Sequence, residues 1–171
     1  MRKPKLIPFQ VAHEFQANRD FLYNVWTDQR HVKIWMVPPG CSIRFTRCDI
    51  RPGRTSHYCL TSSAGEDVWG KVIYRQMIKP KYIEYVQYFS DENEVVGRHP
   101  LIPTWPTEML TTINLSDKEL RTNVSIHWTP LNARPEEIET FNAAHLQMEH
   151  DWKGIFSQMD RYLDSLLRPN G

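Results

Sequence analysis

The sequence has little of what most easily assigns a protein to a class. Its 21 lysines and arginines nearly balance 20 aspartates and glutamates, so a net charge of +1 leaves no basic surface that favours nucleic acid. Its apolar runs are far too short for a helix that spans a bilayer. Its three cysteines, Cys41, Cys48 and Cys59, are an odd number at spacings that no disulfide framework uses. We therefore expect reduced thiols and neither nucleic-acid nor membrane binding.

Motifs for catalysis, metals and targeting are also missing. There is no G-x-S-x-G elbow and no phosphate-binding glycine loop. Cys48, His57 and Cys59 form the best candidate metal cluster, but their spacing matches no ligand pattern. No apolar signal segment follows the basic residues 1–5. We expect a cytoplasmic protein with no catalytic set, no metal and no cofactor.

The C-terminal part of the chain carries the clearest pattern. Large or mostly apolar residues recur in steps of three and four between Phe141 and Leu166, which indicates one face of a helix. Pro135 suits the first turn of a helix, and Arg168-Pro169 suits its end. This spacing predicts one helix over residues 135–167, about 50 Å long at 1.5 Å per residue. Such a helix could cross a whole small domain.

The rest of the chain is predicted to form the surface on which this helix lies. Alternating residues over 6–16 predict a strand, and Asn18 and Thr27-Asp28 are capping residues for two short helices. Alternation and turns then predict strands over 42–50, 54–62, 68–77, 82–89, 108–115 and 120–129. The last two would join in a turn at 116–118, and the proline-rich stretch 95–106 would form a loop at a pocket mouth.

We find no repeat and no domain boundary, so we expect a single domain over residues 1–171. The predicted fold class is α+β: a curved antiparallel sheet of six to seven strands around a long C-terminal helix, with two short helices after the first strand. Curvature would leave a space between sheet and helix, which is where a ligand site would lie.

Several stretches in this order resemble a known family. They are WTD at 26–28 with IW at 34–35 and PPG at 38–40, CDIRPGR at 48–54, GKVIY at 70–74 leading to Pro80, EMLTT at 108–112 with WTPLNA at 128–133, and MEHDW at 148–152 with Leu163. Together they resemble the START-like (SRPBCC) helix-grip superfamily, in its branch related to the C-terminal domain of the activator of the heat-shock protein 90 ATPase. The sequence departs from that pattern where Met36 replaces a common Trp and Asp151 replaces the Gly that usually precedes Trp152.

The resemblance implies a hydrophobic cavity under the long helix. Relatives elsewhere in the superfamily bind lipids, polyketides or hormones, and some cyclise polyketides. The namesake domain assists a chaperone. Fold alone transfers none of these activities. The resemblance therefore leaves three hypotheses: a binding module for a small hydrophobic or aromatic ligand, a polyketide-cyclase-like enzyme, and a chaperone-associated interaction domain.

Our first hypothesis is the binding module, and its cavity walls would come from aromatic and methionine side chains. The candidates are Trp35, Tyr58, Trp69, Met109, Trp128, Met148 and Trp152, with His145 as a polar contact. His145 would serve either as a core histidine hydrogen-bonded to a strand or as a polar anchor for the ligand. The enzyme hypothesis needs His145, or a cavity carboxylate, beside open volume. The chaperone hypothesis needs an exposed apolar patch instead of a deep cavity. An exposed strand edge would also permit a homodimer.

Overall fold

The elements of this protein follow one another as the sequence predicts. The computed structural model describes residues 2–169. Its elements are β1 (Phe9–Phe15), α1 (Arg19–Thr27), α2 (Gln29–Trp35), β2 (Ser42–Cys48), β3 (Thr55–Thr61), β4 (Asp67–Ile78), β5 (Tyr82–Ser90), β6 (Val96–Gly97), β7 (Glu108–Lys118), β8 (Arg121–Pro130), α3 (Pro135–Ala143) and α4 (His145–Leu167). None of the helices in the described range is long and apolar enough to cross a bilayer.

The strands form one antiparallel sheet in the order β1-β8-β7-β5-β4-β3-β2, with the short β6 beside β5. Capping residues start the two short helices as expected. The Asn18 side chain accepts a hydrogen bond from the Phe21 amide at 2.9 Å, and Asp28 accepts one from the Arg30 amide at 2.8 Å. The α+β fold class is confirmed, with short helices after β1 and a long C-terminal helix packed on the sheet.

The C-terminal helix is not continuous, so the prediction of one helix over 135–167 was wrong in this detail. At Ala144 the amide bonds the Phe141 carbonyl three residues back, at 3.1 Å, which ends α3 in a tight turn. Alanine favours helix and the apolar stripe runs across the break, so the sequence gives no sign of it. Most of the stripe is buried between Phe141 and Leu163, whereas His145 and Tyr162 are half-buried and Leu166 is 39% exposed.

The turn between β7 and β8 also lies further along than predicted. Strand β7 continues to Lys118, which pairs with Arg121, so Glu119 and Leu120 make the connection. Glu119 has φ of 61°, a left-handed conformation that few residues other than glycine adopt. The turn therefore lacks the glycine or asparagine that usually marks one. The sequence predicts it at the polar residues 116–118, which lie just before its actual position.

The core is dense on one half of the sheet. Helix α4 packs on β1 and α2, and its Phe156, Met159 and Leu163 meet Phe15 and Val124 in one buried cluster. Helix α1 lies against β7 and β8, and α2 lies between β2 and α4. This arrangement leaves the site described next between the sheet and the helices.

Candidate functional site

A cavity of about 220 Å³ lies between the concave face of the sheet and the helices. Most of its wall is apolar or aromatic, and every strand of the sheet except β1 and the short β6 contributes to it. The lining residues are Trp26, Val32, Met36, Pro38, Ile43, Phe45, Ile50, Ser56, Tyr58, Leu60, Val72, Tyr74, Ile83, Tyr85, Gln87, Ile113, Trp128, Met148, Asp151, Trp152 and Ile155. An apolar cavity with a few polar groups is the usual form of a small-molecule site.

Half of the candidate binding residues border this cavity. Tyr58, Trp128, Met148 and Trp152 line it, and the rings of Trp128 and Trp152 meet edge to face with their centroids 5.7 Å apart. Met109 lines an adjoining groove. The two departures from the family pattern, Met36 and Asp151, border the cavity as well. Their roles in binding remain predictions.

Trp35 lies in the core and not on the cavity wall. It is fully buried, its ring centroid is 4.4 Å from that of Trp26, and its Nε1 donates a hydrogen bond to the Val25 carbonyl at 2.9 Å. Val25 is in the last turn of α1, where helix carbonyls lack partners within the helix. Trp35 therefore caps α1 and joins it to α2.

Trp69 lies on the outer face of the sheet. Its neighbour Gly70 pairs with Tyr58, which points inward, so alternation turns Trp69 outward. There its ring stacks on His57 at 5.0 Å and the Arg44 guanidinium lies 5.2 Å above it. This aromatic cluster protects the outer face near β2 and leaves Trp69 outside the cavity.

His145 also lies outside the cavity lining. Its ring centroid lies 5.6 Å from that of Phe9 and 5.1 Å from that of Phe141, and both contacts are edge to face. Its Nε2 is buried and finds no hydrogen-bond partner within residues 2–169. The predicted hydrogen bond from Nε2 to a strand is thus not formed among the described residues, and a ligand contact of His145 stays a prediction. The apolar stripe predicts which face of the helix carries His145, but it does not predict which residues cover that face.

The polar end of the cavity was not singled out from the sequence. Gln87 Nε2 donates to the Tyr58 hydroxyl at 2.5 Å, and the hydroxyls of Ser56 and Tyr74 are 3.0 Å apart. The Tyr85 ring meets that of Tyr74 at 5.9 Å. Strand alternation could have found this group, because Ser56 and Tyr58 share a face, as do Tyr85 and Gln87. The cavity thus has several hydroxyl groups at one end.

These phenols stay neutral at physiological pH. Burial raises the pKa of Tyr58 to about 12, although the Gln87 hydrogen bond opposes the rise. Burial also raises the pKa values of Tyr74 and Tyr85, and the Ser56 hydroxyl opposes the rise at Tyr74. A neutral phenol both donates and accepts hydrogen bonds. The polar end can therefore bind an uncharged carbonyl or hydroxyl group.

Gly70 on β4 makes room for the Tyr58 ring. A Cβ at position 70 would stand 2.4 Å from the Cζ and hydroxyl of Tyr58. The ring therefore crosses β4 in close contact with its backbone, which only glycine allows. This close approach gives a physical reason for the glycine in the motif at 70–74.

The cavity borders a groove of about 540 Å³ at the start of α4. Leu60, Gln87, Trp128, Met148 and Asp151 line both spaces and separate them. The outer wall comes from the proline-rich loop, through His99, Leu101, Ile102, Trp105 and Pro106. The expectation that this loop flanks a pocket agrees with its position.

An ion-pair cluster fixes that loop to α3. Arg98 Nη1 donates to Glu137 Oε1 at 2.9 Å, and Glu137 also accepts from the Arg134 amide at 2.9 Å. Burial of Glu137 would raise its pKa, but these donors together lower it below the usual value. The ionised carboxylate holds the loop against the N-terminus of α3 and so shapes the groove.

Comparison with known proteins gives a family and a fold. The sequence matches the family model described as Activator of Hsp90 ATPase homolog 1-like protein over residues 16–164. No curated protein matches it significantly. Within residues 2–169, no group of three or more His, Cys, Asp or Glu side chains is arranged to hold a metal.

Solved structures with the same fold come from several bacteria. A protein from Staphylococcus epidermidis superposes with a TM-score of 0.76 at 18% identity and covers 95% of this chain and 92% of its own. A protein from Mycobacterium smegmatis superposes with a TM-score of 0.74 at 17% identity, and the match covers 91% of this chain and 90% of that one. The AHSA1 protein from Silicibacter pomeroyi superposes with a TM-score of 0.70 at 12% identity, and the match covers 92% of this chain and 97% of that one. At such identities the likeness concerns the fold alone.

Proposed function

The chain belongs to the Activator of Hsp90 ATPase homolog 1-like family, and we propose that it binds a small, largely apolar ligand between its sheet and α4. The observation that carries this proposal is the cavity of about 220 Å³, walled by apolar and aromatic side chains with hydroxyl groups at one end. A void of that size lined by apolar groups sacrifices packing unless something fills it.

The size of the two spaces sets the size of the ligand. The cavity alone falls below the roughly 300–1,000 Å³ of typical small-molecule sites. The adjoining groove of about 540 Å³ shares five lining residues with it, so a ligand can extend from one to the other past Leu60 and Met148. Its affinity would come from burial of apolar area at about 25 cal/mol per Å², less the cost of association.

The polar groups would orient the ligand. Tyr58, Tyr74 and Tyr85 line the cavity but not the groove. A carbonyl or hydroxyl group placed among them would replace hydrogen bonds that it loses on leaving water. The apolar remainder would then lie against Trp128, Met148 and Trp152, which are adaptable wall residues.

The two alternative functions draw less support from these positions. A cyclase-like enzyme was expected to use His145, or a cavity carboxylate, beside open volume. His145 packs against Phe9 and Phe141 instead, and Asp151 is the one carboxylate among the described residues that line the cavity. A chaperone-associated domain was expected to present an exposed apolar patch instead of a deep cavity. Trp35 and Trp152 are both buried and therefore form no part of such a patch. We therefore place the binding module first.

Blocking the passage between the two spaces should weaken ligand binding. Leu60→Trp places an indole at the partition, where Leu60 is only partly buried and lines both spaces. We expect the affinity for N-phenyl-1-naphthylamine, a neutral apolar dye, to fall at least about tenfold, which is about 1.4 kcal/mol. Titration followed by dye fluorescence measures this.

The matched control is Leu120→Trp. Leu120 is 89% exposed in the turn between β7 and β8, outside both spaces. We expect this variant to bind the dye as the wild type does. Circular dichroism should show the same thermal transition for both variants within a few degrees. Equal dye affinity for Leu60→Trp and the wild type would contradict the proposed site.

A further inference from the structure

The charges around the two spaces are all of one sign. Asp151 lines both spaces and Glu66 lines the groove, and no lysine or arginine of the described residues lines either. The chain has 21 lysines and arginines, so cations are not scarce elsewhere. His99 also lines the groove, and its Nδ1 accepts hydrogen bonds from the Leu101 and Ile102 amides at 3.1 Å. Burial lowers the pKa of His99, which keeps it neutral at physiological pH.

Asp151 differs from the other carboxylates of its helix. Glu149 pairs with Lys153 at 2.8 Å, Asp160 pairs with His13 at 2.8 Å, and Asp164 pairs with Arg168. Asp151 accepts one hydrogen bond from Gln147 at 2.9 Å, and no cationic side chain between residues 2 and 169 forms an ion pair with it. Its second oxygen is therefore available to a group that enters from the cavity or the groove.

The polar groups of the cavity wall carry no charge. They are Ser56, Tyr58, Tyr74, Tyr85 and Gln87, the last of which lies at the boundary with the groove. An ionised carboxylate placed among them would lose its hydration without meeting a cation. Beside Asp151 the same carboxylate would meet a like charge. Both positions thus disfavour an anion.

From these positions we propose that the ligand carries a protonated amine, which pairs with Asp151 at the boundary of the two spaces while the apolar part fills the cavity. This inference rests on the proposed binding function and narrows its ligand class. Fatty acids and other amphiphilic anions are disfavoured ligands. Asp151 is the residue that sets the preference.

Three probes of equal chain length test the charge preference. Decylamine, 1-decanol and decanoate, each below its micellar concentration at pH 7, compete with N-phenyl-1-naphthylamine for the wild-type protein. We expect decylamine to bind at least about tenfold more tightly than decanoate, because attraction of the one and repulsion of the other by Asp151 both contribute. Decanol should fall between them. The preference should weaken as salt rises from about 20 to about 500 mM.

Asp151→Asn assigns the preference to one carboxylate. We expect this variant to bind decylamine and decanol with affinities within about twofold of each other, whereas the wild type prefers decylamine. Asp164→Asn is the control, because Asp164 is exposed on the same helix and lies outside both spaces. It should keep the wild-type order of the three probes.

The outcomes separate this inference from the proposed function. If decanoate binds the wild type as tightly as decylamine, or if Asp151→Asn keeps the amine preference, the inference is overturned while apolar binding stands. If none of the three probes displaces the dye from the wild type, the proposed function is overturned and the inference with it. Tight decylamine binding that depends on Asp151 supports both.

Discussion

Replacing Trp35 by alanine should destabilise the protein by about 3–5 kcal/mol, the range for removing a large aromatic side chain from a core. Trp35 is fully buried against Trp26, and its indole N–H caps the Val25 carbonyl at the end of α1. Alanine leaves both a cavity and an unpaired carbonyl. For a domain whose total stability is about 5–15 kcal/mol, this is a large loss. Urea denaturation followed by circular dichroism measures it.

Two further variants separate packing from other effects. Ile34→Ala changes the adjacent residue, which is 53% exposed, and should shift the stability by no more than about 0.5–1 kcal/mol. Trp35→Phe keeps an aromatic ring but removes the N–H, so we expect an intermediate loss together with unchanged dye affinity. If the free energy of unfolding of Trp35→Ala lies within about 1 kcal/mol of the wild-type value, the role assigned to Trp35 is refuted. If Trp35→Phe changes the dye affinity, Trp35 contributes to the binding site after all.

Gly70→Ala should destabilise the protein by about 1–3 kcal/mol, the usual cost of overpacking a filled site. The new methyl group would stand 2.4 Å from the Tyr58 ring, so the ring must leave its place over β4. That movement would break the 2.5 Å hydrogen bond from Gln87 and disturb the polar end of the cavity. We therefore expect a lower midpoint of thermal unfolding and a weaker dye affinity.

Gly97→Ala is the matched control for this substitution. Gly97 lies in the exposed β6, and a Cβ there would meet nothing within 4 Å. Its stability and dye affinity should remain those of the wild type. If Gly70→Ala unfolds at the same temperature as Gly97→Ala, the close approach of the Tyr58 ring to the backbone is not a constraint on this fold.

Periodicity and caps were sufficient for most of the fold. Asn18 and Asp28 begin their helices as predicted because a short polar side chain before an apolar helical pattern has few other uses. The break at Ala144 was missed because it depends on one tightened turn, which neither propensity nor pattern records. The β7–β8 turn was misplaced because Glu119 adopts a conformation that its residue type rarely takes.

The cavity was harder to predict than the sheet. Alternation places Tyr58 on one face with Leu60, and Trp128 with Val124 and Ile126, because both lie in regular strands. A sequence pattern can indicate that a residue points inward, but it does not say which inward residue borders empty space. Trp35 and His145 therefore could not be separated from the wall residues. The pattern of β4 does not decide which face carries Trp69, and only the pairing of Gly70 with Tyr58 fixes it.

The central claim is that an apolar ligand occupies the space between the sheet and α4, and methyl NMR of methionine tests it most directly. Met36 and Met148 line the cavity, whereas Met77 and Met159 lie outside both spaces. On titration of ¹³C-methyl-methionine protein with 1-decanol, we expect the Met36 and Met148 signals to shift and to show contacts with the probe. The Met77 and Met159 signals should stay in place. A saturating titration that leaves Met36 and Met148 unchanged would contradict the claim.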